Sequence, residues 1–121
     1  MLKKNPKTRC ERLVMEKAKG VCRFYNKIQS TYARILEENT DVEEICCNVA
    51  FETEELSGYT SDFVCRKTDG EFLVRECVER RKLSWPSVVQ LLDASRDYWT
   101  RRGVSDWGIV IDKGDEDEDA E

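Results

Sequence analysis

Two β-rich segments, Tyr59–Arg66 and Glu71–Val78, flank the tetrapeptide Lys67-Thr68-Asp69-Gly70. An Asp-Gly step between such runs is a strong hairpin signal, because glycine readily takes the positive φ that a tight turn demands. A long amphipathic segment follows directly. Ser84 stands in capping position at its start, Pro86 fits its first turn, and Gly103 lies just past its end. Val88, Leu91, Leu92, Ser95, Tyr98 and Trp99 recur at helical spacing and define its inward face. Trp107–Ile111 reads as a strand. A strand reached through a crossover helix lies parallel to a neighbour in the same sheet. The second half of the chain therefore predicts a hairpin extended by one parallel strand.

The first half is read by the same rules. Thr8–Ala18 places Cys10, Leu13, Val14 and Ala18 on one face of a short basic helix ended by Gly20. Segment 26–38 predicts a second helix, with Ile28, Tyr32, Ile35 and Leu36 at helical spacing and Asn39-Thr40 as its stop. Ile45–Phe51 is a strand, and Glu52–Gly58 an acidic turn. The predicted order is α-α-β-β-β-α-β, an α/β fold with a mixed central sheet flanked by helices. At 121 residues the chain suits one domain with one modest core. Its longest uncharged apolar run is far too short to span a bilayer, and Met1–Arg12 is basic without an apolar stretch. A cytoplasmic protein with no membrane partner is expected.

Histidine is absent, which excludes Ser-His-Asp and Cys-His catalysis and histidine-ligated zinc. The six cysteines form no C-x-x-C pair and are expected to be reduced, small, buried hydrophobes. The net charge of −5 is strongly segmented. Residues 1–35 carry +8, residues 36–64 carry −9, residues 65–113 carry +2 and residues 114–121 carry −6. The acidic tail has nothing apolar to bury and is expected to be disordered, serving solubility or competing for a basic surface.

Asp62 opens one hairpin strand and Glu76 lies well along its partner. Two carboxylates converging on one end of a sheet offer the oxygen ligands that Mg²⁺ prefers, and a water on such a metal hydrolyses phosphodiesters. Residue 78 shares a strand face with residue 76, so a lysine there would be well placed beside that water. The competing roles are structural. Asp62 could satisfy a strand end, and Glu76 could pair with Arg75, Arg80 or another base.

These pieces together resemble the catalytic domain of TnsA-type transposon endonucleases, within the PD-(D/E)xK (restriction-endonuclease-like) superfamily. The resemblance covers residues 27–113. It rests on the helix ending at Leu36 before Asp41-Val42, on Tyr59-Thr60-Ser61-Asp62-Phe63-Val64 and on the Glu71–Val78 strand. Leu91-Leu92, Arg96-Asp97-Tyr98-Trp99 and Trp107-Gly108-Ile109-Val110-Ile111-Asp112-Lys113 complete it. It implies a minimal PD-(D/E)xK domain, preceded by a basic helical segment over 1–26 and followed by the acidic tail over 114–121. It also implies that Asp62 and Glu76 are the catalytic acids and the metal ligands. The sequence departs from the family at two positions. Val78 stands where the family has its lysine, and Gln29 where it has a helix glutamate. Glu11 or Glu16, and Arg80, Arg81 or Lys82, are the candidates for replacing those lost groups.

The resemblance thus implies one of two functions. The first is a degraded nuclease of a phage or mobile element that works by binding a nucleic acid or nucleoprotein machine, for example as an anti-CRISPR or other anti-defence inhibitor of a host effector. The second is an active Mg²⁺-dependent endonuclease acting with a transposase. In either case Lys3, Lys4, Lys7, Arg9, Arg12, Lys17, Lys19, Arg23 and Lys27 are the candidate phosphate contacts. The alternative for these bases is a solvated face, or pairing with the acidic segments of the same chain.

Overall fold

A computed structural model describes residues 11–112. The chain opens with a two-stranded antiparallel ribbon, β1 (Glu11–Val14) and β2 (Val21–Phe24). Helix α1 (Lys27–Glu38) follows, then β3 (Val42–Ala50), β4 (Thr60–Lys67), β5 (Phe72–Val78), α2 (Pro86–Arg101) and β6 (Asp106–Ile111). Strands β3 to β6 form one mixed sheet in that spatial order. β3, β4 and β5 are an antiparallel meander, and β6 lies parallel to β5 with Val74 opposite Trp107 and Val78 opposite Ile111. The crossover helix therefore does what its position in the sequence requires. At the hairpin, Gly70 has φ +90°, its N–H donates to the Lys67 carbonyl, and the Asp69 carboxylate accepts from the Glu71 N–H.

The helices cover opposite faces, as the alternation of Cys77 and Val78 along β5 shows. On one face Ile28, Ala33 and Leu36 of α1 pack with Ile45, Phe63, Cys65, Leu73 and Cys77. On the other, Val88 and Leu92 of α2 pack with Val78, Leu83 and Trp107. Tyr98 is buried beside Trp99, and its ring meets Phe51 edge-on at 4.9 Å. No described helix is long and apolar enough to cross a membrane.

Three expectations are corrected. In place of the helix expected over 8–18, Glu11–Val14 is a strand and residues 15–18 lead into the turn of the ribbon, so the order is β-β-α-β-β-β-α-β. Val-Cys-Arg-Phe alternates with period two, which sends Cys22 and Phe24 inward, while in Glu-Arg-Leu-Val only Leu13 is partly covered and Val14 is 79% exposed. Gly20, at φ +79°, serves the turn between the strands rather than stopping a helix. Second, Ser84 does not cap α2. Trp85 holds the N-cap position without a side-chain bond, and Pro86 opens the helix. Third, two of the cysteines are not reduced: Cys22 and Cys47 form a disulfide that ties β2 to β3. Cys65 and Cys77 are buried, as expected, whereas Cys46 is exposed. Cys10, residues 1–10 in general and the acidic tail lie outside the described residues.

Candidate functional site

Helix α1 begins at Asn26, whose Oδ1 accepts from the Gln29 backbone N–H at 2.9 Å. Gln29 in turn accepts from the Tyr25 N–H through Oε1 at 2.7 Å, a reciprocal cap that fixes its side chain. With Oε1 committed, the amide nitrogen points inward. It donates to Asp62 Oδ1 at 2.7 Å and to Asn48 Oδ1 at 3.4 Å. Asn48 holds a left-handed backbone, φ 53°, in β3, and its amide reaches the Arg23 carbonyl at 2.7 Å. The ribbon, α1 and the sheet are thus joined through two side-chain amides.

The β4–β5 ladder stops at Phe63 opposite Arg75, while β5 stays paired with β6 through Val78. Beyond that point carboxylates bridge the two strands. Asp62 Oδ2 accepts from the Cys77 N–H at 2.7 Å, and the Asp62 N–H donates to Glu76 Oε1 at 3.1 Å. Glu76 Oε2 accepts from the hydroxyls of Ser61 and Ser95, both at 2.6 Å. Two indoles complete the shell. Trp99 donates to Ser61 Oγ at 2.8 Å, and Trp107 to Ser95 Oγ at 3.1 Å. Asp62 is 2% exposed, and Gln29, Ser61, Glu76 and Ser95 are no more so.

Burial first, and the charge of Asp62 second, push the Glu76 carboxyl up to about 7, against the opposing pull of the hydrogen bonds from Ser61 and Ser95. Buried carboxylates are costly unless they are bonded, and here each of the four oxygens accepts from at least one protein donor.

Gln29, Asp62 and Glu76 are therefore brought together at one end of the sheet, and Val78 lies two residues beyond Glu76 on the same strand. Val78 is buried against Val88 and Leu92 and presents only methyl groups. Four of the five proposed replacements, Glu11, Glu16, Arg81 and Lys82, lie exposed or paired elsewhere. Glu11 is exposed and pairs with Arg34 at 3.3 Å, and Glu16 is exposed. Arg81 and Lys82 both pair with Glu79, and the Arg80 backbone N–H donates to Asp112. Sequence reasoning missed Ser61, Ser95, Asn48 and the two indoles. Ser95 carried a signal: a hydroxyl in the middle of an apolar helical stripe needs a buried partner.

As a Mg²⁺ site the set fits poorly. Its oxygens already serve internal donors, an amide nitrogen faces Asp62, and neither carboxylate is open to a hydrated ion. Among the described residues, no group of three or more cysteine, aspartate or glutamate side chains is placed to share a metal ion. Burial pushes the Cys65 thiol up to about 12 and raises Cys46 as well, so neither is an activated nucleophile.

The candidate phosphate contacts separate into three groups. Lys3, Lys4, Lys7 and Arg9 lie outside the described residues. Lys17 is spent on the C-terminal end of α1, where its Nζ donates to the Asn39 carbonyl at 2.6 Å, and Lys19 lies 4.0 Å from Glu44. Arg12, Arg23 and Lys27 are exposed and make no ion pair with any described residue.

No protein-family model matches the chain, and no curated protein matches it.

Proposed function

We propose that this chain is a PD-(D/E)xK-like domain, related to TnsA-type endonucleases, whose catalytic constellation has become a structural network, and that it acts by binding rather than cutting. One observation carries the reading: Gln29 Nε2 donates to Asp62 Oδ1 at 2.7 Å. A glutamate in this position would set acceptor against acceptor, a gap that a cation or a proton must fill. The amide closes the same gap with a hydrogen bond. Val78 supports the reading independently, because it removes the cation that would orient a water and stabilise developing charge. Losing one such group typically costs on the order of 10²–10³ in rate. The meander-crossover-parallel order of β3, β4, β5, α2 and β6 is the arrangement expected of the superfamily.

A binding protein of this lineage fits a phage or mobile element. There it would block or recruit a nucleic-acid machine of the host cytoplasm, as an inhibitor of a defence effector or as a partner of a transposase. The test is nicking of supercoiled and linear DNA with Mg²⁺ and with Mn²⁺, which tolerates imperfect ligand sets, comparing wild type with Asp62→Ala. No cleavage by either protein is expected. Cleavage by wild type that disappears in Asp62→Ala overturns the reading and returns Asp62 and Glu76 to metal ligation.

A further inference from the structure

The β1–β2 ribbon turns one face to the core and one to solvent. Arg12 stands directly opposite Arg23, and Val14 directly opposite Val21. All four are exposed, Val14 at 79% and Val21 at 48%. Like charges paired across strands are destabilising, so nothing within the ribbon favours this arrangement.

The rest of the described surface treats its bases differently. Arg34, Arg66, Lys67, Arg75, Arg81, Lys82, Arg96, Arg101 and Arg102 all lie within 4 Å of a carboxylate. In a chain of net charge −5, acids are not scarce. Yet Arg12 and Arg23, with Lys27 at the start of α1, have no described carboxylate partner. The cations left open are thus clustered on one short stretch of chain, 12–27, beside two exposed valines.

We infer that this outward face docks on the phosphate backbone of duplex DNA. The inference rests on the proposal that the protein acts by binding. Charge complementarity selects a polyanion, and the shape selects the duplex. A two-stranded ribbon fits the major groove of B-DNA, about 12 Å wide, with arginines reaching phosphates and valine methyls facing base edges. The deep, narrow major groove of double-stranded RNA admits no such element. Asn48 and the Cys22–Cys47 disulfide hold the ribbon to the sheet, so the face is presented on a fixed support.

The test measures binding of the full oxidised chain to a mixed-sequence duplex by fluorescence anisotropy across a salt series. Arg12→Gln/Arg23→Gln removes two phosphate contacts. The slope of log affinity against log salt becomes shallower by about 1.8, and affinity at 0.1 M salt falls on the order of tens of fold. Arg12→Lys/Arg23→Lys keeps the charges and retains most of the slope, which separates contact loss from misfolding. Arg96→Gln/Arg101→Gln makes the same change in net charge on α2 and leaves the slope unchanged.

An equal loss in the α2 variant overturns the proposal in favour of net charge alone, and an unchanged slope in the ribbon variant overturns it outright. Absence of binding by the wild-type chain overturns it too. So does binding that emerges only when Asp115, Glu116, Asp117, Glu118, Asp119 and Glu121 are neutralised, since the ribbon's occupant would then be the chain's own acidic segment. None of these outcomes touches the silent-site reading, which the cleavage assay tests separately.

Discussion

The four-stranded sheet and the two-stranded ribbon are built from similar strand-forming residues, but different forces hold them. The sheet buries Phe63, Cys65, Val74 and Val78 between two helices and closes its splayed end with bonded carboxylates. The ribbon commits only Cys22 and Phe24 fully to the interior, and a disulfide and the Asn48 amide attach it to β3. A segment with a core on one face can pair its charges internally and lean on packing. A segment of two four-residue strands cannot, and two strands alone are marginal in water. It needs a covalent tether, and its outer Arg12 and Arg23 pair with no described carboxylate.

The sharpest way to break this comparison is at the sheet's polar end. Asp62→Ala strands the Gln29 amide and the Cys77 N–H in a dry site, so it should cost about 3–5 kcal/mol in urea unfolding. A carboxylate kept only to hold a metal would instead leave stability unchanged or improved on removal. The ribbon's counterpart is the disulfide, which closes a loop across a sequence separation of 25. In the chain-entropy account, reducing it or making Cys47→Ser costs about 3–4 kcal/mol. Hydrogen exchange should accelerate most at residues 11–24, with the β4–β5 amides protected longest.

The pH profile sharpens the same contrast. The Glu76 carboxyl is raised to about 7 in the folded protein, above its usual value of 4.5. Between those values the folded chain holds a proton that the unfolded chain has released, so stability falls as pH rises through this window. The fall is on the order of 3 kcal/mol, and Glu76→Gln should flatten it. The smallest effect belongs to the surface. Lys67 lies 3.2 Å from Asp106, which also keeps its bond to Arg75, so Lys67→Ala should cost less than about 1 kcal/mol.

Much of the sheet was legible because its signals are local. Asp69-Gly70 sets the hairpin, and the crossover from α2 forces β6 parallel to β5. The alternation of Glu76 with Cys77 shows which residues share a face. The convergence of Asp62 and Glu76 followed from the same hairpin. The ribbon was misread because short strands and a short amphipathic helix compete on equal terms in a basic segment. Leu13 and Val14 fit both patterns, and only the burial of Cys22 and Phe24 separates them.

By itself, the sequence determined the βββαβ order, the buried stripe of α2 and the absence of histidine chemistry. Turn geometry, side-chain period and residue type are properties of neighbouring residues, so one chain suffices to read them. Tertiary structure alone decided that Gln29 bonds Asp62 and that Ser61 and Ser95 hold Glu76. It alone joined Cys22 to Cys47, and it left Arg12 and Arg23 without a carboxylate partner among the described residues. Each of these depends on which distant group occupies a direction in space, and hydrogen bonds and ion pairs act only over the last few ångströms.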